Sequence, residues 1–233
     1  MKTFKNLLII SLLTISGTAF TQNSNFEHEM TRWHKKVVIT CGMIKEPKPD
    51  PAAIAANLEE MSRELAQLKL KYSGNAPEEY KNDPLWKSYF VDLDDNLTIV
   101  KYFADKQEYR IASKNCPIFC QTVGRMHRNN NTVDLADILF SLNMQMELTT
   151  DISNAGNANG AKETTGQVKK LLEQASVKTV NSEDDKLKSL FPPVEKLVKE
   201  WIAAVESADV TGVKRIYASF LPEYQKLYHA SME

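Results

Sequence analysis

The chain has 233 residues, a formal net charge of −1, and 25% charged against 42% hydrophobic residues, enough for one large domain or one domain with an appendage. The near-neutral balance excludes an electrostatic nucleic-acid binder, which would show a basic excess or stripe, and gives no reason for attraction to an anionic membrane. With only 8 glycines and neither a GxxxxGK[ST] nor a GxGxxG loop, nucleotide-dependent chemistry has no support.

The first segment is MKTFKNLLIISLLTISGTAFT. Lys2 and Lys5 precede an apolar run from Leu7 to Ile15, and small and polar residues lead to Ala19-Phe20-Thr21. That is the layout of a secretory signal peptide over residues 1–21. The apolar run is shorter than the roughly 20 residues a membrane span needs, and no cysteine stands at the cleavage region. The expected product is an exported protein, periplasmic or secreted, with no stable membrane anchor after leader cleavage.

Helical periodicity follows almost throughout. Phe26, Met30, Trp33, Val37, Cys41 and Ile44 mark an amphipathic helix over 24–44. Pro47, Pro49 and Pro51 break it, and Pro51 suits the first position of the next helix, whose stripe runs through Ile54, Leu58, Met61, Leu65, Leu68 and Tyr72. A third stripe carries Trp86, Tyr89, Phe90, Leu93, Leu97, Val100 and Ala104. Pro117 reads as the first turn of a helix over 117–128. After Asn129-Asn130-Asn131, with Thr132 or Asp134 as cap, comes a helix bearing Leu135, Ile138, Leu139, Leu142, Met146 and Ile152. The run SNAGNANGAKETTGQ has linker composition, with a short helix at 167–177 after it, and helices over 184–207 and 210–230 end the chain. No alternating strand pattern occurs. The expected fold is all-α: an antiparallel helical bundle over 22–153, a polar linker with a short helix over 154–182, and a C-terminal helical hairpin over 183–233. A weak internal echo sets Ala104-Asp105 on Ala208-Asp209, as if two hairpins were related.

Three cysteines remain after export: Cys41, Cys116 and Cys120. In an oxidising compartment an odd count implies one disulfide plus a thiol, three thiols, or a ligand role. Cys116 and Cys120 share a helix face, and placing Cys116 at a helix N-terminus would favour a thiolate. The pair then suits thiol redox work or a soft metal such as Cu(I), with Met126, His127 or Cys41 completing the set. The alternative is structural: buried apolar thiols, or Cys41 bonded to Cys116 or Cys120. His28 and His34 lie on different faces of one helix and read as exposed polar residues. There is no HExxH helix, Glu-x-x-His motif or Ser-His-Asp ordering, so no catalytic residue is assigned.

The segment AAVESADVTGVKRIYASFLPEYQKLYHASME resembles the last two helices of the cytochrome c-prime and b-type cytochrome four-helix bundles. Tyr228-His229 matches the pair that carries the axial ligand in b-type members, so the resemblance implies non-covalent haem at His229. In c-type members that histidine ends Cys-x-x-Cys-His; Gln225 and Tyr228 stand where the cysteines would, which excludes covalent attachment there. In the other hairpin, Cys116-x-x-x-Cys120 is followed by Gln121, and His127 is a displaced substitute for the axial ligand. The reading is an exported, non-enzymatic binding protein of cytochrome-like architecture that takes haem, a small ligand or a protein partner. The alternatives are a thiol-redox or copper-handling protein using Cys116 and Cys120, and a purely structural or interaction module.

Overall fold

The computed structural model describes residues 18–233, with side chains from Asn25 onward. The expected leader over 1–21 therefore lies outside the described residues, save the backbone of its last four. Eight α-helices make up the described chain, with no strand among the described residues: α1 Thr18–Lys45, α2 Pro51–Tyr72, α3 Trp86–Asp105, α4 Tyr109–Asn130, α5 Leu135–Asn154, α6 Ala158–Val180, α7 Asp185–Glu206 and α8 Val210–Ala230. The all-α expectation holds.

Two closed four-helix bundles stand in series. α1 to α4 pack each on the next and α1 returns onto α4; α5 to α8 do the same, with α5 returning onto α8. Short connections force sequential helices to run antiparallel. Every apolar position named above in the first three stripes is buried. In the first core Trp86 meets Phe26 edge to face at 5.1 Å. All three indoles find acceptors on another segment: Trp33 Nε1 donates to the Met61 carbonyl at 3.0 Å, Trp86 Nε1 to the Tyr72 carbonyl at 2.9 Å, and Trp201 Nε1 to Thr150 Oγ1 at 3.1 Å. Such pairing removes the penalty of burying the N–H.

Two expectations are corrected, besides the bundle expected over 22–153, which the structure divides because α5 packs on α6 and α8 in the second core. The stretch taken as a linker with a short helix over 154–182 is α6, a full member of the second bundle. Asn157 accepts from the Gly160 N–H at its N-terminus, and Ala161, Val168, Leu171, Leu172 and Ala175 enter the core. The Asn- and Gly-rich composition marks the tight α5–α6 turn, at Gly156 with φ +82°, and no domain boundary. The second correction concerns α4, which begins at Tyr109 and carries Pro117 inside it. Residues 109–116 have good helical spacing, and a proline can be absorbed where packing on both sides holds the helix.

The α3–α4 and α7–α8 turns share a cap that the α4–α5 and α5–α6 turns, at Asn131 and Gly156, also carry, so the turn does not single out two related hairpins. Gln107 at φ +57° corresponds to Ala208 at φ +58°. Around them Glu108 N–H donates to the Phe103 carbonyl at 2.8 Å, and Asp209 N–H to the Ala204 carbonyl at 2.9 Å. Both are left-handed C-terminal caps.

Candidate functional site

The bundles meet where α4 ends and α5 begins. Asn131, at φ +59°, closes α4, and Asp134 caps α5. The Asp134 carboxylate accepts from the Asp137 N–H at 2.8 Å while the Asp137 side chain accepts from the Asp134 N–H at 3.3 Å, a reciprocal capping box. This tight turn brings His127, in the last turn of α4, onto Asp137, with Nδ1 2.6 Å from Oδ2. Both residues are buried, each 4% exposed. Gly124 makes the approach of α4 to α5 feasible, because a Cβ there would stand 3.2 Å from Asp137 Oδ1 and 3.1 Å from Arg128 Nη1.

Groups from the first bundle surround the pair. His127 Nε2 lies 3.6 Å from Glu27 Oε2, Tyr80 donates a hydrogen bond to Glu27, and the Tyr80 hydroxyl is 2.9 Å from Thr132 Oγ1. His34, from α1, is 5% exposed and has no hydrogen-bond partner at Nε2. His127 Nε2 and Asp137 Oδ1 are likewise buried without partners.

Burial opposes charge on His127, but the Asp137 hydrogen bond and the negative charges of Asp137, Glu27 and Asp134 outweigh it and raise its pKa to about 9. Burial works against the Asp137 carboxylate as well, and His127 overcomes it, holding that pKa below the ordinary value. The two form an ion pair. Burial and then the Asp137 charge push Asp134 up to about 6. Burial leads again at His34, with His127 adding to it against Asp137, and takes the imidazole down to about 4. One cationic and one neutral histidine thus face one firm carboxylate and one soft one.

Asp137 also sits at one end of an open groove of about 1120 Å³ walled by α4, α5 and α6. Its floor carries Ile138, Phe140, Met144 and Leu171, with Leu148 and Val177 exposed on its flanks. Gln121, Gln145, Gln167 and Gln174 interleave with them, and Arg128, Lys170, Lys178 and Glu173 stand on the rim.

Among the residues singled out from sequence, Cys41 and Cys116 form a disulfide linking α1 to α4, with Cα atoms 5.8 Å apart. Cys116 lies mid-helix, because α4 starts two turns earlier; the N-terminal dipole argument for a reactive thiolate there is withdrawn. With Cys116 bonded to Cys41, the expected Cys116/Cys120 metal or redox pair is not assembled. Cys120 is a buried thiol whose Sγ is 3.6 Å from the Tyr228 hydroxyl, across the bundle junction. Burial pushes it up to about 11, against the hydrogen bond from Tyr228. His28 is exposed as expected, whereas His34 is not.

His127 and His229 occupy different surroundings. His229 is in the last turn of α8, half-buried near Lys35 and Glu233. Beside it the second bundle is filled by the stacked rings of Tyr217, Phe220, Tyr224 and Tyr228, with successive centroids 6.0, 5.4 and 5.3 Å apart. Sequence reading passed over His34 and Asp137 as site residues. The available signal was Asp134-x-x-Asp137 just after a helix ending in histidine, a capping box able to present its second carboxylate backwards. Compared with known proteins, the chain matches no family model, no curated protein and no solved structure.

Proposed function

We propose that this is an exported, non-enzymatic interaction protein that seats an acidic, amphipathic helical segment of a partner protein in the groove over α4, α5 and α6. The observation that carries this reading is the lining of that groove: apolar side chains along its floor, amide side chains between them, and cations predominating on its rim. Helix-in-groove recognition needs an apolar trough for the partner's buried stripe, and glutamine amides can donate to and accept from the polar groups that flank such a stripe. Arg128, Lys170 and Lys178 outnumber Glu173 there, and Asp137 is already neutralised by His127, so the groove favours an acidic segment. α5 and α6 each exceed five helical turns, matching the length of a helical peptide. Export is supported by the leader-like composition of residues 1–21.

The test is site-specific photo-crosslinking in the native source, with a benzophenone side chain replacing Leu148 or Val177 and, as control, Leu70, an apolar residue 88% exposed on α2. The groove positions should capture a discrete partner segment rich in Asp and Glu, the control should not, and Leu148→Glu should abolish capture at Val177. Equal labelling at all three positions would refute the groove as the binding face.

A further inference from the structure

We infer that His127, Asp137 and Asp134 form a binding site for one divalent first-row metal ion, of the zinc type, at the junction of the two bundles. Each of the three can place one ligand atom within 4.8 Å of the others', and among the described residues they are the one group of three to do so. One imidazole with two carboxylates is a donor set for Zn2+ or a similar borderline ion.

The second observation is the set of buried polar atoms left over. Asp137 Oδ1 and His127 Nε2 have no hydrogen-bond partner, nor has Nε2 of His34, whose ring feels the charges of both Asp137 and His127. Buried polar atoms in native proteins nearly always find a partner; His127 Nε2 has the Glu27 carboxylate 3.6 Å away, which leaves Asp137 Oδ1 and His34 Nε2 as two orphans beside one cluster. A cation between the two carboxylates gives Asp137 Oδ1 a partner and balances two negative charges. The buried cluster then becomes neutral without a proton on His127.

Asp137 borders the groove end near Asn131 and Arg128, and Gly124 leaves out the Cβ that would press on Oδ1 at 3.2 Å. The site does not depend on the groove holding a partner helix. It sits in the junction, and neither Cys120 nor His229 belongs to it.

The experiment uses the full mature chain, stripped with EDTA, dialysed and titrated with ZnCl2 by calorimetry, with Tm followed in parallel. The expected result is one saturable site per chain and a Tm that rises with Zn2+, as for any ligand bound only by the folded state. Asp134→Ala should weaken Zn2+ at least tenfold. This variant loses a helix cap, and circular dichroism should show it folded. His229→Ala and Cys120→Ser should bind as the wild type does, and Co2+ in the same site should give d–d bands without thiolate charge transfer. Absence of a saturable site in the wild type overturns the assignment, as does unweakened binding by folded Asp134→Ala or loss of the site in His229→Ala.

Discussion

At the scale of single residues, the two junction histidines carry opposite electrostatics, which fixes a pH profile. His34 has a folded pKa of about 4 against 6.5 when unfolded. Between those values the unfolded chain binds more protons, so stability falls as pH drops from 6.5 towards 4, by roughly 3 kcal/mol at most. His127 has its pKa raised to about 9; its contribution is complete below 6.5 and is lost as pH climbs through 9. Asp134, raised from 3.8 to about 6, favours folding in acid over nearly the same range and offsets most of the His34 loss. The stability maximum should therefore lie near pH 6.5. Urea unfolding followed by circular dichroism from pH 4 to 9 checks this. In His34→Leu the acid limb should flatten or reverse while the alkaline limb stays; an unchanged acid limb would assign the loss to other groups.

At the scale of elements, α4 holds most of what was hard to read. Apolar spacing over Phe26 to Ile44 and Ile54 to Tyr72 gave α1 and α2 to within a few residues at their C-terminal ends, because one buried face imposes its period on the sequence. Pro117 broke that logic in α4. A proline is a strong start signal only when nothing else holds the preceding turn, and here Cys116, immediately before it, is tied to Cys41 on α1. Likewise, the first turn of α6 carries Asn159 and Gly160, weak helix formers on local propensity, and the helix is held by burial of its apolar face, which local composition does not encode. His127 could be singled out as a ligand from sequence, whereas its partner Asp137 is marked only by its capping-box spacing from Asp134, which does not reveal their encounter because that depends on the angle of one turn. The Cys41–Cys116 bond closes a 75-residue separation, for which the chain-entropy model gives about 4 kcal/mol, an upper figure if the reduced unfolded chain keeps structure. Cys41→Ser with Cys116→Ser should lower unfolding free energy by up to that amount. Thiol titration of the denatured wild type should find one free thiol before reduction and three after. Three before reduction would refute the bond.

At the scale of the whole molecule, two cores share few contacts. One core comprises buried residues from Phe26 to Met126, the other from Leu135 to Met232. Between them stand the His127–Asp137 pair, the Cys120–Tyr228 contact, a Lys35–Glu233 ion pair at 3.3 Å, and Val38 leaning on the second core. The ion pair at the surface contributes little, so coupling between the bundles rests mainly on the buried pair. Removing one partner of such a pair costs about 3–5 kcal/mol because the other charge is left buried alone. Asp137 also belongs to the α5 capping box, so its loss falls on the second bundle as well as on the junction. Asp137→Ala should therefore split a single thermal transition into two, the earlier one belonging to α5–α8. Tryptophan fluorescence separates the halves once Trp201 alone is kept, by Trp33→Phe and Trp86→Phe: its signal should change in the early transition, while the far-ultraviolet helical signal melts in two steps. A single coincident transition in the Asp137→Ala background would show that packing across the junction, and not the buried charge pair, makes the two bundles one cooperative unit.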